Sequence, residues 1–274
     1  MPLEISVILT TYNWPEALRL TLRSVTRQSR MPDEIIIADD GSGQETARVI
    51  EEILKPSSLK WCHVWHEHNG VRQSRIKNLA VKNSRSPYLL FVDHDVVLHP
   101  DFVADHLAMA QSGLFLQGKR ALLSETFTKK ILNDCLFKEP GFWMRGLGNR
   151  KNTIRSTALG RLFAGPRNFQ TSLRGCNLSM STADFFKVDG FDETFDGSWG
   201  REDSDICYRM FHAGMQVRNL WFLALQYHLH HGGAGNWQRE RLDLEIQTNL
   251  QERRIAALKG ISRISSEGEI LAMS

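Results

Sequence analysis

Over the first hundred residues the apolar positions alternate between two periods. Residues 4–10, Glu-Ile-Ser-Val-Ile-Leu-Thr, form a short β-branched apolar run of the kind found in a strand buried on both faces. Residues 14–28 then place Ala17, Leu18, Leu22 and Val25 at helical spacing, with Pro15 near the start, where a missing N–H is tolerated. The alternation continues, and the spacing predicts strands over 34–38, 61–66 and 87–92 and helices over 44–54 and 71–82. Strand and helix alternating at this pitch predict βαβ units on a mainly parallel sheet, an α/β fold. Ligands bind such sheets outside the carboxyl ends of the strands. Three polar clusters, Thr10-Thr11-Tyr12-Asn13, Asp39-Asp40 and Asp93-His94-Asp95, each follow a predicted strand directly, so they are expected to meet at one cleft.

Beyond residue 100 the pattern loosens. It predicts helices over 100–111, 126–137, 183–188 and 202–213, and strands over 114–117, 177–180 and 221–227. The last forty residues read as an amphipathic helix and a polar tail. Residues 141–174 follow neither period. They carry Arg145, Arg150, Lys151, Arg155, Arg161, Arg167 and Arg174 with no Asp or Glu, and Phe142, Trp143, Met144 and Leu147 among them. Such a stretch is either a mobile lid, solvated by its arginines, or a surface that meets anionic lipid or an anionic lipid-linked glycan.

Composition narrows the class. A chain of 274 residues suits one large α/β domain or two small lobes. With 42% hydrophobic and 24% charged residues it reads as globular, and a net charge of +3 argues against a dedicated nucleic-acid binder. No apolar run approaches the roughly 20 residues that cross a bilayer. Residues 1–5 have no basic region followed by an apolar stretch, so a cytoplasmic chain without a secretory signal is expected. Cys62, Cys135, Cys176 and Cys207 form no CxxC pair and read as reduced thiols rather than a zinc site.

Four clusters can carry chemistry. Asp93 and Asp95, one residue apart at a strand end, can hold Mg2+ or Mn2+ or reach a ribose hydroxyl; they can also simply cap the helix after Pro100. Asp40 can accept from a base or ribose, with Gly41 allowing a sharp turn, or can cap the helix at Gln44. Trp199-Gly200-Arg201-Glu202-Asp203-Ser204-Asp205 sets an aromatic ring beside carboxylates, which suits a sugar, and one carboxylate can act as general base. Acids in a first helical turn also complement the macrodipole. His228, His230 and His231 include candidate metal ligands; on a strand His228 and His230 face the same way and His231 the other. A carboxylate with a histidine favours Mn2+ over Ca2+.

Ser6-Val-Ile-Leu-Thr-Thr-Tyr-Asn13, Ile36-Ile-Ala-Asp-Asp-Gly-Ser42 and Phe91-Val-Asp-His-Asp95 resemble the amino-terminal half of glycosyltransferase family 2, which has the GT-A fold. Gly190-Phe-Asp and Trp199 to Asp205 resemble a galactosyltransferase-type motif. The resemblance implies one continuous GT-A domain, with a nucleotide-sugar half over 1–118 and an acceptor half over 119–274 that ends in a helical tail. It implies that Thr10, Thr11, Tyr12, Asn13, Asp39, Asp40, Arg75, Lys77, Asp93, His94 and Asp95 bind the donor. Asp93, Asp95 and His228, with His230 the next candidate, would hold Mn2+ or Mg2+. Asp203 would be the catalytic base with Glu202 beside it, and Trp199, Gly200, Arg201 and Glu202 would meet the acceptor. The implied reaction is inverting transfer from a nucleotide sugar, UDP-linked by resemblance, to a glycan or glycolipid such as a bacterial lipopolysaccharide or capsule.

Two departures from the family pattern stand out. Lys77 occupies the place of an Arg, and Arg201 that of a second Gly, which points to an anionic acceptor. Rival readings are a non-catalytic nucleotide-sugar binder, a metal-dependent hydrolase and a nucleotidyltransferase. None of these needs the segment from Trp199 to Asp205 together with Asp40, Asp93 and Asp95.

Overall fold

The computed structural model describes residues 2–135, 137–171, 173–232, 238–264 and 269–273. The first half runs β1 (Ile5–Thr11), α1 (Pro15–Val25), β2 (Glu34–Asp39), α2 (Gln44–Leu54), β3 (Lys60–Trp65), α3 (Gln73–Lys82) and β4 (Tyr88–Asp93). There follow β5 (Val96–Leu98), α4 (Phe102–Met109), β6 (Leu114–Gln117), β7 (Arg120–Leu123), α5 (Glu125–Asp134), β8 (Leu147–Gly148), α6 (Thr157–Leu162) and β9 (Pro166–Arg167). The chain continues through β10 (Asn177–Ser181), α7 (Thr182–Lys187), α8 (Glu202–His212), β11 (Gln216–Asn219), β12 (Gln226–His228), α9 (Arg239–Glu252) and β13 (Glu269–Met273).

The central sheet has the order β13-β3-β2-β1-β4-β10-β6-β11-β9. Its core from β3 to β4 is parallel, as the alternation predicts. Beyond β4 it turns antiparallel at β10, and β13 closes the other edge antiparallel to β3, so the sheet is mixed. Each side chain of β1 is buried because the sheet is covered on both faces. Val7 and Leu9 pack with Leu18, Ile50 and Phe102 on one side. Ile8, between them, points to the other side, where Phe91, Phe185 and Phe191 lie. That is why the strand sequence is apolar without alternation.

A second, smaller sheet, β5-β12-β7-β8, packs around Ala17, Val97, Ala121 and Tyr227. Apart from the end of β12, it was not legible in the periodicity, because its strands have two to four residues. Where the pattern predicts a strand over 221–227, only Gln226–His228 pairs; Phe222 and Ala224 turn through left-handed backbone at φ 63° and 46°. The expected helical tail is α9, but the chain then ends in an edge strand. Among the described residues no helix is long and apolar enough to cross a membrane. All four cysteines are free thiols.

One buried histidine ties β10 to this frame. His106 Nδ1 lies 2.8 Å from Ser179 Oγ and Nε2 2.9 Å from Asn177 Oδ1. Burial pushes its pKa down to about 3, so it folds neutral. The unfolded chain binds this proton near pH 6.5 and the folded chain does not, so its stabilising contribution is present above about 6.5 and is lost as pH falls toward 3. Urea unfolding at pH 7 and pH 5 should show the wild type losing up to about 1 kcal/mol per pH unit more than His106→Gln. Equal losses in the two proteins would remove His106 from this role.

Candidate active site

The loops after β1, β2 and β4 meet the start of α8 around a cavity of about 450 Å3. Thr10 and Thr11 close β1 and line it, and their buried hydroxyls have no hydrogen-bond partner among the described residues. Tyr12 also lines the cavity, its ring stacked on His68 at 4.4 Å. Asn13 does not. Its backbone turns left-handed at φ 42°, its N–H donates to Ser42 Oγ, and its Oδ1 accepts from Gly43 N at 3.0 Å. It therefore joins the β1 loop to the β2 loop.

The paired acids after β2 divide in the same way. Asp39 is buried below the cavity, where it accepts from Ser42 N at 2.8 Å and lies 2.9 Å from His63 Nε2. Asp40 lines the cavity and is held by His66 Nε2 at 2.6 Å and by Arg72 N at 3.0 Å. Gly41 turns at φ +89°, and a Cβ there would sit 2.4 Å from His68 N, so no other residue fits the turn.

At the end of β4, Asp93, His94 and Asp95 all line the cavity. β12 pairs antiparallel with β5, setting His228 opposite Val96, and Leu229 N donates to Asp95 O at 2.8 Å. This brings His228 Nε2 to 3.2 Å and His231 Nε2 to 3.0 Å from Asp95 Oδ2. Asp95 Oδ1 is buried with no hydrogen-bond partner among the described residues. The three side chains can offer ligand atoms all within 4.8 Å of one another. His230 is not among them: its side chain is exposed, and its N–H donates to Thr128 Oγ1. The alternation that paired His228 with His230 applies only within a strand, and β12 stops at His228. Beyond it the chain is irregular, and His231 rather than His230 reaches the site.

At the start of α8, Trp199, Gly200, Glu202 and Asp203 line the cavity. Asp203 Oδ2 accepts from Gly175 N at 2.9 Å and Oδ1 from Ser204 N at 2.7 Å. Lys77 Nζ lies 3.0 Å from Glu202 Oε1 and over the Phe191 ring at 5.1 Å. It is buried and committed to the acids rather than open to the cavity. Asp205 has a different task, a buried ion pair with Arg209 at 2.7 Å.

Arg201 points away and pairs with Asp243 of α9 at 2.5 Å. Its backbone is left-handed at φ 80°, next to Gly200 at φ 88°, which accounts physically for a second glycine in the family pattern. Arg75 also lies outside the cavity: it pairs with Glu193 at 3.4 Å, and its N–H donates to Asp196. Asn13, Asp39, Arg75, Lys77, Arg201 and His230 are thus not brought to the cavity wall, although Lys77 lies behind it on Glu202.

Four lining residues, Trp14, Gln73, Arg120 and Gly232, were not singled out for it, and His231 was expected to face away from His228. Trp14 meets His94 and His231 edge-on at 6.1 Å. A signal for it was present, since it directly follows the polar cluster after β1.

Crowded carboxylates set the electrostatics. Burial, opposed by Lys77 and reinforced by Asp95, Glu202 and Asp203, raises Asp93 to about 7. Burial and the adjacent Glu202 raise Asp203 to about 6 against the pull of Lys77. Burial would also raise Asp95, but the hydrogen bond from His231 and the charges of His228 and His94 hold it down at about 2. His231 rises to about 8 through that bond. Burial lowers His228 and His94.

The profile of Glycosyl transferase family 2 matches residues 6–162, and that described as N-terminal domain of galactosyltransferase matches residues 159–232. Validoxylamine A glucosyltransferase of Streptomyces hygroscopicus subsp. limoneus is 28% identical over 237 residues, 79% of this chain and 50% of the relative. Chondroitin synthase of Escherichia coli is 22% identical over 269 residues, 92% of this chain and 38% of the relative. The chain spans about half the length, or less, of these curated relatives. Among solved structures, S. aureus TarS is 19% identical with a TM-score of 0.57, covering 83% of this chain and 37% of that one. Its 1–349 fragment in complex with UDP has the same score and identity, over 82% and 60% of the two chains. These likenesses agree with the GT-A fold expected from the sequence. With its profile matched over more than half of the 274 residues, the chain belongs to glycosyl transferase family 2.

Proposed function

We propose that this chain transfers a sugar from a nucleoside diphosphate, a UDP-sugar, to a hydroxyl of a glycan or glycolipid, with inversion at the anomeric carbon. The carrying observation is that one cavity joins three strand ends to the start of α8: Asp40, Asp93, Asp95 and Asp203 all line it. The TarS fragment has been solved with UDP-GlcNAc as well as UDP, which supports the donor class. Residues 1–118 then form the donor half and residues 119–274 the acceptor half. A bacterial surface glycan is the setting we assign to the product.

The Asp95, His228 and His231 side chains fit a divalent cation. A buried carboxylate oxygen without a partner beside two imidazoles offers mixed O and N donors, which suits Mn2+ and is open to Mg2+. When bound, such a cation supplies Lewis-acid stabilisation of negative charge growing on the diphosphate. The unpartnered Thr10 and Thr11 hydroxyls, Tyr12 and Asp40 would hold the base and ribose, and Asp93 would reach the ribose. Trp199 offers the acceptor sugar a flat apolar face.

Asp203 takes the proton of the acceptor hydroxyl as oxygen attacks the anomeric carbon and the bond to the diphosphate breaks. Its N–H donors, Gly175 and Ser204, fix the carboxylate, and Lys77 pairs with Glu202 beside it. Groups facing Asp203 are Asp93, Glu202, Lys77, Cys207 and Tyr208. Because a base works only when deprotonated, kcat/KM should fall as pH drops below about 6. Asp203→Asn should lose roughly 100-fold to 10,000-fold in transfer rate while still binding UDP. Near-full transfer by that variant would refute the base assignment.

Metal affinity offers a separate test. In a Mn2+ titration followed by electron paramagnetic resonance, His231→Ala should bind about tenfold more weakly or worse, whereas His230→Ala should match the wild type. The reverse order would return the ligand role to His230.

Trp143, Leu162 and Phe163 are exposed among Arg145, Arg150, Lys151 and Arg161, a combination that favours peripheral contact of a cytoplasmic enzyme with an anionic membrane face. Co-sedimentation with anionic but not neutral vesicles at low salt is the expected result. No binding at low salt would end the idea.

A further inference from the structure

A second cavity, of about 230 Å3, adjoins the first, and Arg120 lines both. Lys119, Lys151 and Arg174 line it too, and no carboxylate does. Among the described residues none of these four cations has an ion pair with Asp or Glu. Lys119 and Lys151 sit over one indole, Trp221, at 4.6 and 5.0 Å from the ring centre. Lys119 Nζ is also held by Asn219 Oδ1 at 2.6 Å. Burial and the charges of Arg167, Arg174 and Lys151 bring Lys119 down to about 8, so the cations repel one another in a partly dry space.

The wall between them is made of amides. Gln226 is fully buried, lines the cavity, and its Oε1 has no hydrogen-bond partner among the described residues. That orphaned acceptor calls for a hydroxyl or N–H from a ligand. Cations that lack anions together with an acceptor that lacks a donor describe a polyol or sugar unit carrying an acidic group.

The cavity is also fixed relative to the proposed base. Gln117 clamps the backbone of Arg174, accepting from its N–H at 2.9 Å and donating to its carbonyl at 3.1 Å. The next residue, Gly175, donates to Asp203. An acceptor whose reacting hydroxyl meets Asp203 therefore extends past Arg174 into the second cavity. Lys119, Lys151 and Arg174 do not line the first cavity, so the donor diphosphate beside Asp95 does not account for them.

We propose that the second cavity binds the phosphate or carboxylate of an acidic acceptor, next to the hydroxyl that receives the sugar. This rests on the reading of the first cavity as the donor site. Calorimetric titration of the whole chain, with saturating UDP and Mn2+, tests it with three probes: sn-glycerol 3-phosphate, methyl β-glucuronide and the neutral methyl β-glucoside. At least one anionic probe should bind about tenfold or more tightly than the glucoside, and which one binds separates phosphate from carboxylate. The Lys119→Ala/Lys151→Ala protein should lose about tenfold or more in that affinity while binding UDP as the wild type does. Lys151→Glu, at an exposed position, gives the same comparison if the double variant does not fold.

Equal binding of charged and neutral probes, loss of anion binding when UDP is added, or no effect of the substitutions would overturn the proposal. If the wild type fails to bind UDP, the donor reading falls, and the same titrations without UDP still decide the second cavity.

Discussion

Asp93, Asp95, Glu202 and Asp203 line one partly closed cavity, and among the described residues Lys77 is the fully buried cation beside them. Four carboxylates crowded in a low dielectric repel one another, so the group takes up protons or binds a further cation. Both responses are visible. Asp93 and Asp203 have raised affinity for protons, and Asp95 sits between two imidazoles with one oxygen unpartnered. The rest of the molecule can be read as the scaffold that keeps these acids together.

That scaffold is the parallel core of the sheet. β1 pairs with β4 so that Thr10 stands beside Asp93, and with β2 so that Thr11 stands beside Asp39. The strand ends are level, and the polar residues after them emerge at one edge. The small second sheet adds the imidazoles by pairing β12 with β5 immediately after Asp95. Asn78 and Arg209 brace the opposite side: Asn78 is bonded to both the N–H and the carbonyl of Phe191, and Arg209 donates to the carbonyl of Gly190. α8 is thereby held where its first turn faces the strand ends.

Much of this was legible in the sequence because buried parallel strands and amphipathic helices leave distinct periods. Gln44–Leu54 and Leu114–Gln117 match their predicted bounds. The short strands β5, β7 and β8 owe their existence to pairing across the chain, which no local pattern records. The same limit explains the site. Asp39 and Asp40 look equivalent in sequence, yet one turns inward to His63 and the other faces the cavity. Arg75 and Lys77 occupy one helix, but only Lys77 faces the acids. His231 replaced His230 because the strand, and with it the alternation of faces, stops at His228. Arg120 was hidden in the same way, since its place between two cavities depends on β7.

The most direct test is a manganese anomalous-difference map from crystals soaked with MnCl2 and UDP. The account predicts one strong peak within bonding distance of Asp95, His228 and His231, with density for the nucleotide beside Thr10 and Asp40. A manganese peak that avoids those three side chains, or a nucleotide bound away from this cavity, would contradict it.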